Sequence, residues 1–190
     1  MSQNHSTTEV SEPAAEPISV SEAKTFLRIS HDGDDAVLAN YIKAARQFCE
    51  IYTGQCIISR SLKTSFSING STADAYDIPK SPATSISQVK VVQKDSTETV
   101  LDANTYNLDT TFNRIIFQTA VLAPHPYSKL DVFYTAGYGT SADDVPETLR
   151  HAVLMKAAQM YEHRGGVQEQ QGGFDIIESL LRPYKKVELY

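Results

Sequence analysis

The chain has 190 residues, 41% of them apolar, a formal net charge of −6 and no tryptophan. That length admits one domain of ordinary size plus a tail, and no apolar run approaches the roughly 18 residues of a membrane span. The acidic total argues against gripping DNA through a broad basic face, because such binding rests on phosphates neutralised by lysine and arginine.

Residues 1–17 are rich in Ser, Thr, Glu and Pro and have no apolar period. They bury too little to offset ordering entropy, so a disordered tail is expected. They also lack the basic start and apolar middle of a secretory signal, so export by that route is not expected. Order is predicted to begin at Ser19, which with Glu22 fits a capping box behind the apolar Ile18; Ala23, Phe26 and Leu27 then give a short one-sided helix. Asp32 reads as the N-cap of a second, longer helix. Its apolar positions are Val37, Leu38, Tyr41, Ile42, Ala45, Phe48, Cys49 and Tyr52, at three-four spacing, and Gly54 follows as a left-handed C-cap. Cys49 and Cys56 are expected as two free, partly buried thiols, and no Cys or His spacing resembles a zinc site.

The period then changes to two. In SLKTSFSI, Leu62, Thr64, Phe66 and Ile68 face one way and Lys63, Ser65 and Ser67 the other. Further strand-like pieces, ISQVKVV, ETVL, TYNLD, NRIIF and LDVFYT, are separated by turn residues such as Asn69-Gly70, Lys94-Asp95 and Pro124-His125-Pro126. Short strands at this spacing predict a small antiparallel sandwich or barrel-like unit over about 57–136.

Helix returns after Asp143 and Asp144, with Pro146 suited to the first helical position and Glu147 adding negative charge at the positive helix end. Leu149, Ala152, Val153, Ala157, Met160 and Tyr161 make its buried stripe, and Gly165-Gly166 end it. A polar VQEQQGG leads to a last short helix in FDIIESLLRPY, stopped by Pro183. Neither helical end can bury its stripe alone. The expected fold is therefore α+β: a bundle of about four helices formed by segments 18–55 and 145–182, with the antiparallel β unit inserted, and a tail at 183–190.

Catalytic chemistry is hard to find. The stretch FYTAGYGTSADD sets Gly137 and Gly139 between a strand and a helix, where phosphate loops sit. It has neither the Lys-Ser/Thr of a Walker loop nor the third glycine of a dinucleotide loop, and the acids that follow repel phosphate. It reads as a joint. Asp32-Gly33-Asp34-Asp35 resembles the start of a calcium loop, but the twelfth position is Lys43, so capping is the better reading. His31 has no nucleophile or second base nearby, His151 and His163 are too far apart to share a metal, and no serine sits in a G-x-S-x-G elbow. No enzyme, cofactor or metal is expected. The ten tyrosines, several at element ends, suit either core edges or protein–protein contacts. Charge is uneven as well. Seven acids face Lys24 and Arg28 over residues 1–40, while RPYKKVELY at the end is basic. These segments could pair between copies or simply be solvated.

A set of short motifs carries a resemblance. Ala23 to Ile29 (A-K-x-x-L-R-I), Asp34 to Leu38, Tyr52 to Gly54, Tyr134 to Gly139 (Y-T-A-G-Y-G), Val145 to Ala152 (V-P-x-x-L-R-x-A), Tyr161 to Arg164 and Leu180 to Tyr184 follow in order. Together, over about residues 17–186, the chain resembles the head–tail connector, or adaptor, proteins of tailed bacteriophages and gene transfer agents. The resemblance implies a structural virion protein of the neck, assembled in the bacterial cytoplasm as a ring, a dodecamer, beneath the portal. Such a ring extends the channel through which DNA passes without specific binding, and it offers a docking surface to the next neck or tail protein, a stopper or tail terminator. Acidic character suits a conduit to which DNA must not adhere. On this reading Tyr41, Arg46, Tyr52, Arg150 and Tyr161 are candidates for the ring interface, and Arg182, Tyr184, Lys185, Lys186 and Tyr190 for the portal contact. The competing readings are another neck or tail-completion protein, a small nucleotide-binding enzyme built on the Gly137 loop, and a regulatory module that binds a host protein through its tyrosines.

Overall fold

The computed structural model describes residues 4–68, 73–118, 127–164 and 176–186. Two compact units divide the chain: residues 1–12, 59–137 and 188–190 form one, and residues 13–58 and 138–187 the other. The expected turns at Asn69-Gly70 and Pro124-His125-Pro126, the Gly165-Gly166 helix stop, VQEQQGG and Tyr190 lie outside the described residues.

The first unit is made of antiparallel strands. Its five-stranded sheet runs in the order β1 (His5–Glu9), β2 (Arg60–Ser67), β8 (Tyr127–Ala136), β4 (Ala83–Gln93) and β5 (Glu98–Val100). A second sheet orders β3 (Ala75–Asp77), β7 (Arg114–Phe117) and β6 (Tyr106–Asp109). In β2 the alternation read from the sequence holds: Leu62, Thr64 and Phe66 are buried, Lys63 and Ser65 half-buried, and Ser67 exposed. They pack with Tyr76, Ile115, Leu130, Val132 and Tyr134 into the core of this unit. One amide stitches the β6–β7 turn to the chain leading into β4. The Asn113 Nδ2 donates to the Ile78 carbonyl at 2.7 Å, its Oδ1 accepts from the Ala83 amide at 2.7 Å, and its own carbonyl accepts from the Ile78 amide at 2.9 Å. Asn113 sits at φ 52, a left-handed conformation that asparagine tolerates better than most residues.

The tail expected to be disordered is a correction. Residues 5–9 pair along β2 with His5 opposite Phe66, Thr7 opposite Thr64 and Glu9 opposite Leu62. A polar strand at a sheet edge needs no apolar period, because backbone pairing rather than burial holds it.

The second unit is helical. It comprises α1 (Val20–Leu27), α2 (Asp35–Thr53), α3 (Glu147–Glu162) and α4 (Ile176–Leu181), with short 3₁₀ turns at Ala142–Asp144 and Arg182–Tyr184. The capping box is present: the Ser19 hydroxyl accepts from the Glu22 amide, and the Glu22 carboxylate accepts from the Ser19 amide at 2.7 Å. Gly54, at φ 74, caps α2 as expected. Asp32 does not; Asp34 occupies that position, and the Asp32 carboxylate instead pairs with Lys24 at 2.5 Å. Pro146 stands one residue before the first helical residue rather than inside it. Ile18, Ala23, Ile42, Ala45, Cys49, Leu149, Ala152, Val153, Ala157, Ile177 and Leu181 are buried together in this unit. Among the described residues no helix is long and apolar enough to cross a membrane.

A charged network lies inside this apolar set. Arg46 donates to Glu50 at 2.9 Å and to Glu16 at 2.7 Å, and the second Glu50 oxygen accepts from the Ile57 amide at 2.9 Å. Arg46 and Glu50 are both closed to solvent. Removing one member of such a pair strands the other charge, so Arg46→Ala is expected to lower unfolding stability by about 3–5 kcal/mol in denaturant titration. Lys90→Ala, which breaks the exposed Lys90–Glu98 pair at the β4–β5 edge, should cost less than about 1 kcal/mol.

Candidate functional site

The acidic cluster before α2 is tied up internally. Lys24 Nζ bonds both Asp32 at 2.5 Å and Asp35 at 2.8 Å, and these carboxylates hold the ammonium group above its ordinary pKa. Asp34 accepts from the Tyr161 hydroxyl at 2.5 Å. Each carboxylate thus has a partner within the unit and is spent on pairing, not on capping α2 through its side chain. Among the described residues there is no group of three or more His, Cys, Asp and Glu placed to hold a metal.

Just past the Gly137–Gly139 segment the chain binds an anion of its own. The Asp144 carboxylate accepts from the Ser141 amide at 3.0 Å, the return half of a capping box at the start of the 3₁₀ turn. A Cβ added at Gly139 would overlap that carboxyl group, which is why this position takes glycine. Neither Cys49 nor Cys56 is in a disulfide; both are buried, and burial pushes the Cys49 thiol up to about 12. That removes it from nucleophilic chemistry.

The candidate contact residues fall in four places. Tyr41 meets Tyr161 edge-to-face with ring centroids 6.5 Å apart, and the Arg164 guanidinium stacks over Tyr161 at 4.2 Å. Arg150 is anchored away from this pair: it donates to the Pro17 carbonyl at 3.0 Å and to Glu22 at 2.5 Å, joining α3 to the cap of α1. Arg46 is the third case. A candidate for the ring interface on the resemblance, it lies in the buried network described above.

Tyr52 is brought to the C-terminal residues. Lys185 Nζ lies 5.2 Å above its ring, and the Lys186 amide donates to the Thr53 carbonyl at 2.8 Å. Gln55, which sequence reasoning passed over, organises this corner. Its Nε2 donates to the Tyr184 carbonyl at 2.7 Å, and its Oε1 accepts from the Tyr138 hydroxyl at 2.6 Å. Burial, with Tyr184 nearby, raises the Tyr138 phenol above its ordinary pKa, so it remains a donor. Arg182 and Lys185 are exposed at the end of this segment. A basic segment is therefore clamped to the C-terminal end of α2, with Arg182 and Lys185 exposed.

The helical unit also shows apolar surface. Ile51 is 79% exposed and Ile176 60%, and Phe26 and Val37, assigned to buried stripes by their spacing, are exposed as well. Phe26 stands edge-on to His151, with centroids 6.4 Å apart. Ile51 broke no sequence pattern; only its position on the outer side of α2 distinguishes it.

A family model for phage gp6-like head–tail connector proteins matches residues 17–120, more than half of the chain. The chain belongs to that family. Three solved structures share the connector's fold almost end to end. A chain from the neck of a native GTA particle computed with C12 symmetry is 26% identical over 100% of this chain and 98% of its own, with a TM-score of 0.76. A chain from the neck of an empty GTA particle computed with C6 symmetry is 24% identical over 97% of both, at 0.80. A chain from the virion of a native gene transfer agent is likewise 24% identical over 97% of both, at 0.75. No curated protein matched by sequence. The connector is a structural protein and not an enzyme.

The Asp34–Tyr161 contact offers a direct check on the geometry. The Tyr161 hydroxyl is the main cause holding the Asp34 carboxyl below its ordinary value, with Arg164 adding to it. A depressed carboxyl stabilises the fold above its unfolded pKa, and that contribution is lost as pH falls from about 4 through the folded value. Carboxyl-carbon NMR is expected to find Asp34 titrating below the ordinary aspartate value, and to find that value raised in Tyr161→Phe.

Proposed function

We propose that this connector assembles as a ring of twelve copies in the neck of a phage or gene transfer agent particle, beneath the portal. There it extends the DNA channel and receives the next neck or tail protein. The observation that carries the reading is the shared fold with a neck chain at C12 symmetry, over the whole of this chain. Family membership points the same way.

The surfaces have natural assignments within this reading. A ring uses two different faces of each subunit, because its contact is head-to-tail. Ile51 and Tyr52 on α2, with the Tyr41–Tyr161 pair and Arg150, supply an apolar and aromatic contact of the kind favoured at interfaces. Arg46 supports that contact from inside, by fixing α2 through Glu50 and Glu16. Arg182, Tyr184, Lys185, Lys186 and Tyr190 make the portal contact, with Gln55 holding the segment in place. The net charge of −6 lets DNA pass without sticking, since a like-charged wall releases no counterions on contact.

Two experiments test this. Deleting residues 183–190 should leave a chain with an unchanged far-UV circular dichroism spectrum that no longer binds purified heads; undiminished head binding would overturn the portal assignment. Ile51→Asp removes no buried packing, so the fold should persist while electron micrographs of the mutant particles lack the neck ring. Normal rings would remove α2 from the interface.

A further inference from the structure

The edge of the five-stranded sheet is sealed by a strand that contributes almost nothing to the core. In β1, four of five residues are exposed and none is aliphatic or aromatic beyond the His5 ring, which lies 6.0 Å from Phe66. What holds it is backbone pairing and a short set of polar contacts. The Thr7 and Thr64 hydroxyls are 2.8 Å apart, and Thr64 continues to the Tyr134 hydroxyl at 3.2 Å, so a chain of hydroxyls runs from the edge into the core. Glu9 meets the buried Arg60 guanidinium at 3.0 Å. Beyond the strand, the Val10 and Ser11 amides both donate to the Ser61 carbonyl, and the Ser67 amide donates to the Asn4 carbonyl.

Two features make this pairing transferable. A hairpin turn would force the two strands to pair within one chain, but here residues 10–59 lie between them, so no local geometry favours the chain's own strand strongly. Strands with few buried apolar contacts also open at low free energy, while the rest of the sheet keeps its core. The vacated β2 edge would present unpaired backbone groups, the Thr64 hydroxyl and Arg60. The sequence that satisfies all of them is residues 4–11 of an identical chain.

We infer that the β2 edge is a strand-acceptor site and that its partner is a second copy of this chain, which donates its residues 4–11 in place of the resident strand. Every hydrogen bond made in one copy is remade between copies, so exchange costs little beyond the opening step. Linking β1 of one copy to β2 of the next is a head-to-tail contact, and it would fasten neighbours in a ring by a route separate from α2. The inference concerns β1 and β2 alone and does not require the ring.

The test uses two full-length variants, Thr7→Cys and Thr64→Cys, mixed at high concentration and then oxidised. Position 64 is closed to solvent, so collision between folded copies cannot make this bond. The expected result is a mixed dimer as the main product on a non-reducing gel, with the 7–64 link identified by peptide mass spectrometry. A double variant carrying both cysteines should close on itself when dilute and form ladders when concentrated. Self-closure at every concentration, with no mixed dimer, would overturn the inference even if micrographs still show rings. If circular dichroism finds Thr64→Cys unfolded, a fluorescent peptide of residues 4–11 replaces it. Its anisotropy should rise on adding the unmodified chain, and a Glu9→Lys peptide should rise far less. No rise with either peptide would overturn the inference.

Discussion

A buried carboxylate has to be answered from all sides, and in the helical unit that requirement falls on Glu50. Its two oxygens take the Arg46 guanidinium and the Ile57 amide, and Arg46 reaches on to Glu16. Three stretches of chain therefore meet at one charge: the approach to α1, the last turns of α2, and the residues that lead out toward β2. Desolvating these ions costs more than a hydrophobic contact would, and the Coulombic gain only roughly offsets it. What the network does impose is register. An apolar patch could slide by a turn of helix, whereas this arrangement has one solution.

Much of this architecture was legible from residue order. The Ser19–Glu22 box, the glycine after α2 and the alternation through Leu62, Thr64 and Phe66 all depend on neighbours a few residues away, and such signals survive without tertiary information. The family motifs were visible for the same reason. Features that depend on distant partners were not. Gln55 acts through Tyr138 and Tyr184, and no local pattern joins those three residues. Strand β1 looked like a polar tail because its partner strand begins at residue 60.

Spacing also misled in both directions. Phe26 and Val37 fit apolar stripes and yet face solvent, while Arg46 and Glu50 sit on the same face as Ile42 and Cys49 and are buried. A helical period reports which residues share a side; it does not report what that side meets. Asp32 shows the same limit at a helix start. The residue type suits a cap, but Lys24 competes for the carboxylate, and an ammonium group at 2.5 Å is the stronger partner.

The β6–β7 turn has an effect beyond its own sheet. Asp109 Oδ1 accepts from the Thr111 and Phe112 amides, Arg114 stacks 4.9 Å from the Phe112 ring, and Asn113 is fastened behind it. The tip that carries this 67% exposed phenylalanine is thus already rigid before anything touches it. A loose loop would surrender conformational freedom on being covered, weakening whatever it gripped. This tip has little such freedom left to give up, because those bonds already fix its backbone.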